Sequence, residues 1–309
     1  MAALPYNCSD IFAHIHPCID LLTPAFLYEP WLAYNEKMHA SSLRFVAIDW
    51  SGAKSPAEQR RRIVTADWQA GNITLSAGRT RGETTKWLIE QSLRTPRMAV
   101  GIDFSFSLPL WFVKQTGATS IDHFWQRAAD HAEEWLQSCN EPFWGRPGRR
   151  CPASHRAPGW LGYRKCERPA VIGWQPSSTF QIGGAGTVGT GSLRGFPTLL
   201  ALRQAGFSVW PFHPPAFPCV VEIYPRLFTG AVRKSSADDR VAYLRKHLDR
   251  KLSAEVFDQA AVSEDAFDAL CSVIGMARQG NHFPKLKQAT DPVGQLEGDI
   301  FPGRPVSEP

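Results

Sequence analysis

From Leu43 onward, short apolar runs alternate with amphipathic stretches, and each type predicts its own element. "LRFVAID" (43–49) is a compact apolar run with β-branched members and predicts a buried strand. "RRRIVTADWQ" (60–69) and "NITLSAG" (72–78) predict two more strands, joined by the turn signal Ala70-Gly71-Asn72, so the three form an antiparallel meander. "GETTKWLIEQSLR" (82–94) carries Trp87, Leu88 and Leu93 at helical spacing. "RMAVGIDFS" (97–105) predicts a fourth strand. "SIDHFWQRAADHAEEWLQSC" (120–139) predicts a long helix capped by Ser120, with Ile121, Phe124, Trp125, Ala128 and Trp135 on one face.

Between about Asn140 and Pro197 the periodicity disappears into a stretch rich in Gly, Pro, Arg and Trp, a long insertion of the kind that is usually either functional or disordered. A helix is expected from about Gly195 to Ala205. "FSVWPF" (207–212) and "CVVEIYP" (219–225) predict later strands, "SADDRVAYLRKHL" (236–248) a helix capped by Ser236, and "SEDAFDALCSVIGMARQG" (263–280) a last helix running from Ser263 to near Gly280. The sum is an α/β architecture. It has a mixed five-stranded sheet, helices on both faces, extra pieces around the fifth strand, and the insertion before that strand. Residues 43–302 make the domain, with the insertion at about 140–197. Residues 1–42 have no clear period and stand as an N-terminal appendage; Met38 offers a second possible start of translation. Residues 303–309 are a tail.

Two of the predicted strands end alike, in "AIDWS" and "GIDFS". An apolar run that finishes on a carboxylate needs a reason, because a buried carboxylate requires a cation, a proton or hydrogen bonds. Asp49 closes the first strand, Asp103 the fourth, and Glu222 the fifth. Asp265 and Asp268 lie three apart on the last helix and share a face. Parallel strands bring their carboxyl ends to one edge, where α/β sheets place their ligands. Several carboxylates there repel one another unless a metal neutralises them, and hard oxygen ligands suit Mg²⁺ or Mn²⁺. Two such ions activate water and stabilise the leaving oxygen in phosphodiester hydrolysis. Taken singly, each acid also has an ordinary use as a turn residue, a helix cap or an arginine partner.

The order of strands, with Asp on the first and fourth and "DAFDAL" on the last helix, resembles the ribonuclease H-like fold. Asp265-x-x-Asp268-Ala269 is similar to the final helix of the Holliday-junction resolvase branch of that superfamily. More closely, "IDWSGAK", "GIDFSFSLP", "FWGRPGRR", "FQIGGAGTVGTGSLRG", "VEIYPRLF", "FDAL" and "EGDIF" resemble domain-of-unknown-function family 429, predicted nucleases of ribonuclease H-like fold, over about Leu43 to Pro302. The resemblance implies a metal site of Asp49, Asp103 and Asp268, with Asp265 and Glu222 as further members. Asp49, Asp103, Glu222 and Asp268 become the catalytic candidates, and Asp49, Asp103, Asp265 and Asp268 the ligands of two Mg²⁺ or Mn²⁺ ions.

"IGGAGTVGTGSLRG" offers a run of free backbone N–H groups, with Gly184, Gly186, Thr187 and Arg194 as candidate phosphate contacts. It is neither a Walker A loop nor a dinucleotide fingerprint. "FWGRPGRR" mixes aromatic and basic side chains, so Trp144 and Arg146 are candidates for a stacked base and its phosphate. Lys54, after "DWSG", is a further phosphate candidate.

Composition changes this picture little. The 309 residues are 43% hydrophobic and 20% charged, enough for a full core, and the net charge of +5 is compatible with an anionic substrate such as nucleic acid or another phosphoester. Seven scattered cysteines are a poor disulfide framework and fit a reducing cytoplasm. Cys151, His155 and Cys166 lack the CxxC spacing of a zinc site. No apolar run reaches the length of a membrane span, and the N-terminus lacks the pattern of a secretory signal. Two other readings stay open: an actin-like ATP-binding phosphotransferase with "DWSGAKS" as its phosphate hairpin, and a non-enzymatic nucleic-acid or protein-binding module. Metal affinity separates hydrolase from module, and ATP binding separates phosphotransferase from hydrolase.

Overall fold

The structure, a computed structural model, describes residues 43–302 apart from 157, 174–175, 185 and 249–251. The expected appendage (1–42) and tail (303–309) lie outside the described residues.

Six described strands form one sheet, where five were expected. They are β1 (Arg44–Asp49), β2 (Val64–Gln69), β3 (Asn72–Ser76), β4 (Met98–Ile102), β5 (Ser208–Val209) and β6 (Cys219–Glu222), in spatial order β3-β2-β1-β4-β6-β5. The extra member is β5, an edge strand beside β6. It keeps only two residues of the apolar run "FSVWPF", because Pro211 has no N–H to continue a ladder. β1, β2 and β3 form the antiparallel meander, whereas β1, β4, β6 and β5 run parallel.

The longer helices are α1 (Pro56–Arg62), α2 (Arg81–Arg94), α3 (Ile121–Ser138), α4 (Val188–Gln204), α5 (Ala237–His247), α6 (Ala254–Val262) and α7 (Glu264–Arg278). Strand side chains alternate between faces, so each strand feeds two cores. Val46, Ile48, Val100, Ile102 and Val220 pack with α2, α3 and α4. Phe45, Ala47, Ala99 and Val221 pack with α5, α6 and α7. Helices therefore cover both faces. Among the described residues, no helix is long and apolar enough to cross a membrane.

Two expected boundaries are corrected. Arg60, Arg61 and Arg62 are helical rather than the start of β2. Ser55 accepts a hydrogen bond from the Glu58 N–H, Pro56 occupies the first turn, and the three arginines close α1 at its negative end. The helix after the glycine-rich segment begins at Val188, seven residues before the expected Gly195. Glycine disfavours helix by about 1 kcal/mol per residue, which hides this turn from propensity. Here the small residues are required by packing: a Cβ on Gly195 would lie 2.5 Å from the Phe104 ring.

Candidate active site at the acidic edge

β1 and β4 pair with Ile48 opposite Ile102, so Asp49 and Asp103 are level at the strand ends; the Asp103 N–H donates to the Ile48 carbonyl at 3.0 Å. Both side chains take the alternate face from Ile48 and Ile102, which is the face covered by α7. The first two turns of α7 bring Asp265 and Asp268 toward them. Ser263 caps the first turn by accepting from the Ala266 N–H at 3.1 Å, and the acidic residues suit the positive end of the helix.

All four acids are held above the ordinary carboxylate range. Asp49 is held well above the usual carboxylate range, first by burial and then by Asp103, Asp268 and Asp265. Burial, followed by Asp268, pushes Asp103 up to about 7. Burial pushes Asp268 up to about 6 although Lys234 opposes it. Asp265 is raised by burial and by Glu264. Asp268 is only 1% exposed. Its Oδ2 accepts an ion-pair hydrogen bond from Lys234, while its Oδ1 is buried with no hydrogen-bond partner. The Lys234 Nζ is also 3.7 Å from Glu264 Oε1.

Glu222 is placed differently, and the reason is again alternation. β6 pairs with β4 so that Glu222 is opposite Ile102, one residue short of the level of Asp103 and on the other face. There it meets Arg164, which has no exposed surface. Arg164 Nη1 donates to Glu222 Oε2 at 2.8 Å and to the Glu297 carbonyl at 2.9 Å; Nη2 donates to Glu167 Oε1 at 2.8 Å and to Glu222 Oε1. The Phe106 N–H donates to Glu222 Oε2 at 2.8 Å. Glu222 thus ties the insertion to the sheet and reaches the aspartates only through its charge, which adds to the upward push on Asp103.

Two cavities flank the acidic edge and share Trp50, Gly52 and Thr187. One, of about 420 Å³, lies among Asp49, Asp265, Arg62, Gly184 and Thr190. The other, of about 350 Å³, lies among Asp103, Glu222, Lys234, Tyr224 and Gly186. The glycine-rich segment therefore stands over the aspartates, with Thr187 capping α4 but making no side-chain capping bond.

The other predicted contacts do not line either cavity. Arg194 donates to Glu133 from Nε at 2.6 Å and to the Gly52 carbonyl, a tie between α3, α4 and the β1 loop. Lys54 is exposed. The Trp144 backbone bridges to Gln181 and its indole packs against the core. Arg146 is exposed, with Nη1 3.4 Å from the Gln137 carbonyl. Sequence reasoning did not single out Lys234 or Arg164. Both sit in irregular segments, where no periodicity marks which side chains turn inward.

Gly52 fixes how closely the β1 loop meets α4. A Cβ there would lie 2.6 Å from the Gly191 nitrogen and 2.7 Å from the Thr190 carbonyl carbon, backbone atoms that cannot rotate away. Gly52→Ala is expected to lose about 1–3 kcal/mol in urea unfolding. Wild-type stability in that variant would mean that the loop and helix separate freely.

Among the described residues, no group of three or more His, Cys, Asp or Glu side chains is placed to hold a metal ion. The donors nevertheless fit a hard divalent cation: they are carboxylates, they raise one another's pKa, and one buried oxygen lacks a partner. No family model, curated protein or solved structure matches the chain.

Proposed function

We propose that this edge is a divalent-cation site for phosphoester hydrolysis, and that the protein is a metal-dependent nuclease or phosphodiesterase of ribonuclease H-like fold related to domain-of-unknown-function family 429. The observation that carries the reading is the meeting of Asp49 and Asp103, level on neighbouring parallel strands, with Asp268 of α7, whose buried Oδ1 has no partner. The strand order supports it as well: an antiparallel meander, then parallel β1, β4 and β6, with an acidic final helix. β5 is then an addition at the edge.

In this reading Asp49, Asp103 and Asp268 hold Mg²⁺ or Mn²⁺, and Asp265 adds charge at the rim. When bound, such an ion supplies an activated water and charge stabilisation for the leaving oxygen. The chain's own residues do the rest. Arg164 and Glu222 brace the end of β6 beside Asp103. The glycine-rich segment, which lines both cavities, offers backbone N–H groups and the Thr187 hydroxyl to a phosphate. The substrate class is a nucleic acid or another phosphoester.

A Mn²⁺ titration by calorimetry tests this on the wild type and on Asp49→Asn. Micromolar binding that the variant loses is the expected result, followed by cleavage among single-stranded, duplex and branched nucleic acids or a small phosphodiester. A wild type that takes up no Mn²⁺ even with nucleic acid present would end the metal mechanism.

A further inference from the structure

Resting on the metal reading above, we propose that Lys234 is the resident counter-ion of the acidic edge, its ammonium standing in a divalent cation's place and withdrawing when one loads. The ammonium pairs with Asp268 Oδ2, lies 3.7 Å from Glu264, and exerts its charge on Asp49, Asp103 and Asp265 as well. It lines the same cavity as Asp103. One ammonium does not satisfy this edge, since Asp268 Oδ1 is buried and still lacks a partner.

The surroundings allow the lysine to leave and hold its partner still. The Lys234 side chain is 40% exposed, whereas that of Asp268 is 2% exposed. The root of the lysine is fixed, because its carbonyl accepts from buried Arg240 and the neighbouring Ser236 caps α5. The flexible four-carbon stem can therefore swing into solvent without disturbing the backbone. A strongly hydrated ammonium loses little on returning to water, and a divalent ion in its place brings twice the charge to the same oxygens.

Two measurements on the full chain decide the matter. Lys234→Met should bind Mn²⁺ on the order of tenfold to a hundredfold more tightly than wild type by calorimetry, because no cation has to be displaced. In the wild type, acetylation of Lys234 by acetic anhydride, followed by mass spectrometry, should rise several-fold when Mn²⁺ is added. Equal or weaker Mn²⁺ binding by Lys234→Met would overturn the displacement and leave the metal reading standing. No Mn²⁺ binding by either protein would overturn both. If Lys234→Met does not fold, the labelling decides alone, and labelling of Lys234 that Mn²⁺ leaves unchanged overturns the proposal.

Discussion

Arg164→Met is expected to lose about 3–5 kcal/mol of unfolding free energy in a urea titration, the largest loss among the single substitutions argued here. The guanidinium is fully enclosed and compensates two carboxylates, Glu222 and Glu167, which are themselves buried. Methionine fills much of the same volume but leaves both acids without a cation. Each then needs a proton to remain inside, so the variant loses stability as pH rises, and its deficit against wild type is larger at about pH 8 than at about pH 5. Adding Glu222→Gln to Arg164→Met should recover part of the loss, because it removes one of the two stranded charges. A deficit under about 1 kcal/mol would mean that water already reaches the network and that the insertion is not pinned to β6 through it.

The same arginine shows where sequence reading stops. Asp49 and Asp103 are legible because an apolar run that ends on a carboxylate departs from its own pattern, and parallel pairing then makes two such ends level. Asp265 and Asp268 are legible from helical spacing and from the Ser263 cap. Glu222 looks equivalent to them in one dimension. Its placement turns on whether it pairs opposite residue 102 or 103, and a shift of one residue sends a strand side chain to the opposite face. Arg164 and Lys234 lie between regular elements and owe their positions to tertiary contacts alone. α1 is a different kind of miss. Ser55, Pro56 and Glu58 are a helix start that can be read locally, yet the apolar run from Ile63 draws the preceding arginines into a strand. At α4 the glycines argue for a loop, and only the closeness of Phe104, Gly52 and the 179–182 backbone makes a helix of them. Local preference is overridden there because the neighbouring ring and backbone leave no room for a Cβ.

Asp103→Asn is expected to make the metal-free protein more stable, by about 1–3 kcal/mol at about pH 8, while removing its response to Mn²⁺. Burial and Asp268 raise the folded-state pKa of Asp103 from the ordinary 3.8 to about 7. A carboxyl raised in this way favours the fold fully below its unfolded value, and the benefit is lost as pH climbs through the folded value. Asp268, pushed to about 6, and Asp49, also raised, act in the same direction. The wild type without metal should therefore lose on the order of 3 kcal/mol from this group of acids between about pH 4 and pH 8. The advantage of Asp103→Asn should be near zero at the acid end of that window and largest above the folded pKa, where the wild type must keep the charge buried. Mn²⁺ should reverse the order at the alkaline end. An ion at a thousand times its dissociation constant adds about 4.1 kcal/mol to a protein that binds it, and nothing to one that does not. Thermal unfolding of both proteins across this pH range, with and without Mn²⁺, reads all of these differences. An Asp103→Asn protein less stable than wild type at alkaline pH would show that the fold needs the carboxylate. Its charge would then be a structural partner, and a cation's binding energy would not be needed to explain why two buried strands end on aspartate.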